Sequence, residues 1–172
     1  MQRRPKKIFI MGSPGSGKSY LADKLSEMTG IKHYDLDDIR YIRKYDILRP
    51  MVVRKRKLNA ITKRNSWIVA GTSLSFSGSA IKRAQLIVIL KESFPLTAFR
   101  TARRFIMRQS GKKAPKETVG ALLGLIRYNY VSYHKKGASR IKQFKQIRKE
   151  YGRKVIVLAS KKEVKTFLKR FK

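Results

Sequence analysis

An α/β fold, with a parallel sheet of about five strands and helices on both faces, is predicted by three features of this sequence. Short apolar runs at Lys7–Met11, Trp67–Gly71, Leu86–Leu90 and Val155–Leu158 alternate with stretches of helical spacing. A glycine-rich turn, Gly12-Ser13-Pro14-Gly15-Ser16-Gly17-Lys18-Ser19, separates the first run from Tyr20–Met28, where Leu21, Leu25 and Met28 recur at helical intervals. An acidic cluster, Asp35-Leu36-Asp37-Asp38, follows the short segment Ile31–Tyr34. A strand ending at Asp35 would put these carboxylates at the carboxyl edge of the sheet, where open α/β sheets take ligands.

The turn fits the phosphate-binding pattern G-x-x-x-x-G-K-[ST] at every fixed position, between a strand and a helix as that pattern requires. Glycines let successive backbone N–H groups curl toward phosphate oxygens, and the helix that follows adds partial positive charge. Gly12, Ser13, Pro14, Gly15, Ser16, Gly17, Lys18 and Ser19, with Tyr20 opening the helix, are therefore the expected nucleotide contacts. Lys18 would reach the β- and γ-phosphates, and the Ser19 hydroxyl would sit on Mg²⁺. The alternative is a Gly/Ser turn that matches by chance. The motif predicts a P-loop NTPase fold that uses ATP and Mg²⁺.

Composition bounds the rest. At 172 residues, 42% of them hydrophobic, the chain suits one domain over 1–172 with a substantial core. The absence of cysteine excludes disulfides, thiolate catalysis and cysteine-based zinc sites. The basic start Met1–Lys7 lacks the apolar region of a signal peptide, and the longest apolar run, Val119–Ile126, is too short to span a bilayer. A soluble cytoplasmic protein without a membrane partner is expected. Lys and Arg number 43 against 10 Asp and Glu, a net charge of +33. That exceeds what one triphosphate needs and favours a nucleic-acid partner, RNA before DNA; a solvated basic surface is the other reading. Residues 93–172 carry +20 of this charge and residues 1–92 carry +13.

Three of the ten acids fall within Asp35–Asp38. One carboxylate there, Asp35, can hold Mg²⁺, and another, Asp37, can accept the proton of an attacking hydroxyl. Alternatively, Asp37 or Asp38 caps a helix that begins at Ile39. Together "GSPGSGKS" and "HYDLDD", with 15 residues between Ser19 and Asp35, resemble the adenylate-kinase-like P-loop phosphotransferases. Within these the chain is most similar to the topology-modulation (FlaR-type) kinase-like proteins. The similarity continues at pattern level through Lys44-Tyr45-Asp46, Ser66–Gly71, Ala84–Leu90, Val155–Leu158 and Glu163-Val164. A weaker likeness, carried by Asp37-Asp38-Ile39-Arg40, is to polynucleotide 5′-kinases, where the first Asp is the base and the Arg lies on phosphate. The FlaR-like group usually has an acid just before the glycine that here is Gly71, and this chain has Ala70. That departure implies that Asp35 or Asp37 carries the metal alone, and it puts the catalytic rate, though not nucleotide binding, in question.

The remaining elements are expected as follows. Arg49–Asn65 reads as a helix with Met51, Val52, Leu58 and Ile61 on its apolar side and Arg54–Lys57 as a cationic run, either solvated or on phosphate. Leu74–Ala80 reads as a Ser/Gly-rich loop over the site. In Phe94–Met107, Phe94, Ala98, Ala102, Phe105 and Ile106 form an apolar stripe opposite Arg100, Arg103, Arg104 and Arg108. The resemblance implies a basic lid around 103–116, with Arg104 and Arg108 clamping the transferred group; the alternative is a solvated basic helix. A helix from Lys116 to about His134 would bury Val119, Leu122, Leu123 and Ile126, with Gly120 and Gly124 permitting close packing. Its end, Arg127–Lys136, mixes tyrosines with cations, either half-buried or stacking on single-stranded nucleic acid. Three functions stay open: a nucleotide-kinase-like phosphotransferase acting on a nucleotide or other acceptor, an RNA- or ribosome-associated NTP-binding protein of little or no turnover, and a polynucleotide 5′-hydroxyl kinase. A DNA-binding regulator lacks any supporting motif.

Overall fold

The computed structural model describes residues 4–43, 47–72, 75–110, 119–134 and 139–171. Lys44-Tyr45-Asp46, Ser73, Leu74 and residues 111–118 and 135–138 lie outside the described residues, as do the side chains of Arg108 and His134.

Strand β1 (Lys7–Gly12) leads through the glycine-rich turn into helix α1 (Lys18–Thr29), which ends on Gly30 at φ 70°, a left-handed C-terminal cap. Then come β2 (His33–Asp35), the short α2 (Leu36–Arg40), and a small antiparallel hairpin of β3 (Tyr41–Arg43) and β4 (Ile47–Leu48) that the sequence reading did not foresee. Helix α3 (Met51–Thr62), β5 (Trp67–Gly71), α4 (Gly78–Arg83) and β6 (Leu86–Leu90) complete the first half. The second half holds α5 (Phe94–Ser110), α6 (Val119–His134), α7 (Ser139–Tyr151), a 3₁₀ turn, β7 (Val155–Leu158) and α8 (Lys161–Lys169).

The main sheet runs β2-β5-β1-β6-β7 with every pairing parallel, so β1 and its turn occupy the centre. Strands covered on both sides are apolar throughout, because successive side chains point to opposite faces. Phe9, Met11, Val69, Ile87 and Ile89 face one layer, packed by Leu58 of α3, Ala80 and Ile81 of α4 and Ile147 of α7. Ile8, Ile10, Ile68, Ala70 and Val88 face the other, packed by Leu21 and Leu25 of α1 and Phe167 of α8. The predicted parallel five-stranded P-loop architecture is thus present.

Local expectations are corrected in four places. The cap of α2 is Asp35, whose carboxylate accepts from Asp37 N at 2.9 Å, not Asp37 or Asp38; the helix ends at Arg40 rather than starting at Ile39. Residues 78–83 form a helix instead of a loop over the site, because Phe76, Ala80 and Ile81 are drawn into the core. In α3, Met51 and Val52 are exposed and the burial falls on Leu58 and Thr62. Gly124 of α6 has open space where a Cβ would stand, so it serves no close packing.

Lys154 ties the far edge of the sheet to α4. Its Nζ donates to Ile81 O, Lys82 O and Ala84 O at 2.9–3.0 Å, satisfying carbonyls that the helix end leaves without internal partners. Burial pushes its ammonium below the ordinary lysine range.

Candidate active site

The site begins at the turn after β1. Gly15 (φ 76°) and Gly17 (φ 90°) adopt left-handed conformations that side chains resist, and Ser16 N closes the turn on Ser13 O at 3.1 Å. Gly15 is doubly constrained, since a Cβ there would strike Thr97 O and Thr101 Oγ1 of α5. Four successive carbonyls of the turn have side-chain partners. Gly12 O accepts from Thr72 Oγ1 (3.1 Å), Ser13 O from Lys18 Nζ (2.7 Å), Pro14 O from Asn129 Nδ2 (3.1 Å) and Gly15 O from Arg100 (3.3 Å). Arg100 in turn pairs with Glu92 at 3.4 Å, a carboxylate only 5% exposed. Asn129 of α6 is fully buried. The loop is therefore gripped from outside by α5 and α6. α1 starts on Gly17 with no side-chain cap and no acid in its first turn, so its leading N–H groups suit an anion.

A cavity of about 840 Å³ opens at the carboxyl ends of the central strands. Gly15, Gly17, Lys18, Ser19 and Tyr20 line its loop side; Asp23, His33, Asp35, Asp37 and Asp38 line the wall made by α1, β2 and α2. Ala70, Gly71 and Thr72 contribute from the end of β5, and Arg100, Thr101 and Arg104 from α5. Gly71 has to be glycine because a Cβ would collide with Leu36, whose burial seats α2 against β5. Asp35 pairs in register with Ala70, and in-register neighbours on parallel strands project to the same face. The Asp35 carboxylate thus stands one strand away from Ala70. His33 Nδ1 lies 2.9 Å from Asp23 Oδ1.

A second cavity of about 770 Å³ adjoins the first and shares Gly17, Tyr20, Arg100 and Arg104 with it. Leu90, Met107 and Val164 give it apolar surface, and Arg103, Lys161 and Lys165 give it charge.

Of the residues singled out in the sequence, Pro14, Gly15, Gly17, Lys18, Ser19, Tyr20, Asp35, Asp37 and Arg104 meet at the first cavity, and Ser16 lines the second. Gly12 and Ser13 are buried behind the loop. Arg40 is not among the lining residues; its guanidinium lies over the Tyr41 ring at 5.3 Å. Arg108 belongs to α5, but its side chain is outside the described residues, as is the lid segment from Gly111 onward. The sequence reading missed Glu92, Asn129, Thr97 and Thr101, and the pair Asp23–His33. Rarity was the usable signal: in so basic a chain, Asp23 and Glu92 each stand out as acids with a task.

Comparison with known proteins agrees with this fold. A family model described as Zeta toxin matches residues 1–74, the stretch holding the loop, Lys18 and the aspartates. Among solved structures, a shikimate kinase from Bacteroides thetaiotaomicron superposes with a TM-score of 0.54 at 12% identity, covering 97% of this chain and 96% of that one. A gluconokinase from Sinorhizobium meliloti 1021 gives 0.53 at 17% identity, covering 98% and 94%. A sugar kinase from Janibacter sp. HTCC2649 gives 0.51 at 14% identity, covering 95% and 90%. At such identities the likeness is one of fold. No curated protein sequence matches the chain. Among the described residues, no helix is long and apolar enough to cross a membrane.

Proposed function

We propose that the protein is a P-loop phosphotransferase that moves the γ-phosphoryl group of ATP, with Mg²⁺, to a hydroxyl of a small acceptor. The observation that carries this reading is the meeting, in one cavity, of the glycine loop, Lys18, Ser19 and the carboxylates Asp35 and Asp37. The second cavity, with Leu90, Met107 and Val164, suits a base and ribose, while the shared rim of Gly17, Tyr20, Arg100 and Arg104 suits the phosphates passing between the two. The P-loop pattern and these donors fit the nucleotide, and the Ser19 hydroxyl and Asp35 carboxylate, both lining the cavity, are the oxygen donors that would hold Mg²⁺. The metal, when bound, supplies positive charge against the phosphate oxygens.

In this reading Lys18 swings from Ser13 O to the phosphates, and the loop amides stabilise negative charge that builds at transfer. Asp35 has one oxygen engaged by Asp37 N, two residues further on, which fixes its orientation. Asp37 takes the proton of the acceptor hydroxyl, its oxygen bonds to the γ-phosphorus, and the bond to the β-bridging oxygen breaks to release ADP. Arg104, with Arg100 behind it, covers the transferred group. The test is transfer of label from γ-labelled ATP to an acceptor, with Lys18→Ala as control. Label that transfers equally well with Lys18→Ala would sink the reading.

A second reading, association with RNA, is favoured by the exposed Tyr128 and Tyr130 beside exposed Arg127 on α6. It predicts RNA binding that weakens steeply with salt and is lost in a Tyr128→Ala/Arg127→Ala pair.

A further inference from the structure

The sheet divides the outer surface of the molecule by charge. Helices α3, α4 and α7 cover one of its faces through Leu58, Ala80, Ile81 and Ile147, and α1 and α8 cover the other. On the first side, α3, α4, α7 and the turns that end them show twelve Lys and Arg to solvent against one acid, Glu150. The acids of the short α2, packed on the same side, line the cavity instead. On the second side, α1, α8 and their closing turns show six cations against three acids, Asp23, Glu27 and Glu163. A net charge of +33 does not by itself favour either face, so the segregation is a property of the fold.

The three basic helices form one surface. Arg83 Nη1 of α4 donates to Thr62 Oγ1 of α3 at 2.9 Å, and Lys154, just past α7, reaches the carbonyls at the end of α4. Among the described residues, none of the twelve exposed cations forms an ion pair with a carboxylate. Lys145 and Lys149 of α7 stand at i, i+4, where like charges weaken a helix, so a bound polyanion would relieve a cost carried by the free protein.

The chemistry of this surface narrows the choice of polyanion. Among the described residues α4 and α7 expose no large apolar side chain, and the exposed Met51 and Val52 of α3 precede its cationic run. A bilayer takes up apolar residues, a protein interface has an apolar centre, and single strands stack their bases on aromatic rings. A double helix needs none of these, because its phosphates face outward. Reading B-DNA takes a helix that stands in the major groove, whereas these three lie together against the sheet. A-form RNA is held through its phosphates and 2′-hydroxyls over a shallow groove. Exposed Gln143 and Gln146, beside the lysines of α7, can both donate to and accept from a hydroxyl.

We propose that double-helical RNA docks on the face made by α3, α4 and α7, held by its phosphates. No residue that lines either cavity beside the phosphate loop comes from these helices, so the docking does not rest on the phosphotransferase reading. It also differs from single-strand stacking on Tyr128 and Tyr130 of α6, and the same variants separate the two.

The test follows binding of the whole chain, by fluorescence anisotropy over a range of salt, to an RNA duplex of about 20 base pairs. The DNA duplex of the same sequence, one RNA strand alone and phosphatidylglycerol vesicles are measured beside it. Duplex RNA should bind about tenfold or more tighter than either other nucleic acid. Lys145→Gln/Lys149→Gln should weaken that binding about tenfold and reduce the slope of log K against log salt by about 2. Lys162→Gln/Lys169→Gln on α8 removes the same charge from the other face and should change binding less than about twofold. Lys145→Arg/Lys149→Arg, which keeps the charge, should bind like the parent chain. Equal losses from the two Gln pairs would reduce the effect to net charge and overturn the inference. Four other results would also overturn it: no binding to duplex RNA at low salt, equal or tighter binding of the DNA duplex or single strand, binding to vesicles alone, or a loss confined to Tyr128→Ala/Arg127→Ala.

Discussion

Two regions of this molecule bury opposite kinds of surface. Across the sheet, Ile8, Phe9, Ile10, Ile68, Val69 and Val88 are wholly inaccessible, and the helices that cover them do so with Leu21, Leu25, Leu58 and Phe167. Over the phosphate loop the order is reversed. Among the described residues of α5 and α6, the buried ones are Thr97, Thr101 and Asn129, while Phe99, Ile106, Met107, Val119 and Leu123 are each 60–66% exposed. The expected stripe of Phe94, Ala98, Ala102 and Phe105 is only half-buried, and Ile106 faces solvent. The difference lies in what each helix packs on. A sheet face offers hydrocarbon, so apolar contact wins. A phosphate loop offers backbone carbonyls, and these need donors or they are stranded in a dry place. Asn129 and Arg100 supply those donors; Thr97 and Thr101 turn their own hydroxyls back to Phe94 O and Thr97 O, leaving compact surfaces against Gly15.

The contrast can be broken at graded cost. Asp37→Asn, which removes the proposed base without changing shape, should lower kcat about 10²–10⁴-fold with ATP binding retained, measured by steady-state kinetics and calorimetry. Trp67→Ala in the sheet core should cost about 3–5 kcal/mol in denaturant unfolding. Gly71→Ala forces Leu36 and α2 away from β5; we expect about 1–3 kcal/mol of destabilisation and a larger fall in kcat than stability alone explains. Asn129→Ala strands Pro14 O and should cost about 1–3 kcal/mol, with a raised KM for ATP as the signature of a loosened loop. Phe99→Ser, though it removes a large apolar side chain, should change stability by less than about 0.5 kcal/mol, because that ring is already two-thirds exposed. A Phe99→Ser cost as large as that of Trp67→Ala would show that the outer face of α5 is covered in solution.

How much could be read beforehand follows the same division. The loop and its flanking strand and helix were legible because the phosphate motif is local: each residue's task is set by neighbours within eight positions. The central strands were legible because burial on both sides leaves continuous apolar runs. The cap of α2 falls on Asp35 rather than on Asp37 or Asp38, since all three are competent caps and only the end of β2 selects among them. The serines and glycines of Leu74–Ala80 suggest a loop, yet Phe76, Ala80 and the following Ile81 belong to the core. Arg100 was indistinguishable in sequence from Arg103, and only its partners Glu92 and Gly15 O set it apart.

Sequence alone determined the class of fold, the phosphate loop with Lys18 and Ser19, and the acidic cluster at the end of the second strand. These depend on short-range pattern: strand periodicity, glycines where the backbone must turn left-handed, and carboxylates in a chain that otherwise avoids them. Tertiary structure decided which face of α5 and α6 is buried, which residues hold the loop's carbonyls, and that Asp23 and Asp38 share a wall with Asp35 and Asp37. Those outcomes depend on contacts up to 115 positions apart, such as Asn129 with Pro14. Hydrogen-bond satisfaction across such distances has no periodic trace in the sequence, because a single buried asparagine or arginine leaves no pattern until its partner is beside it.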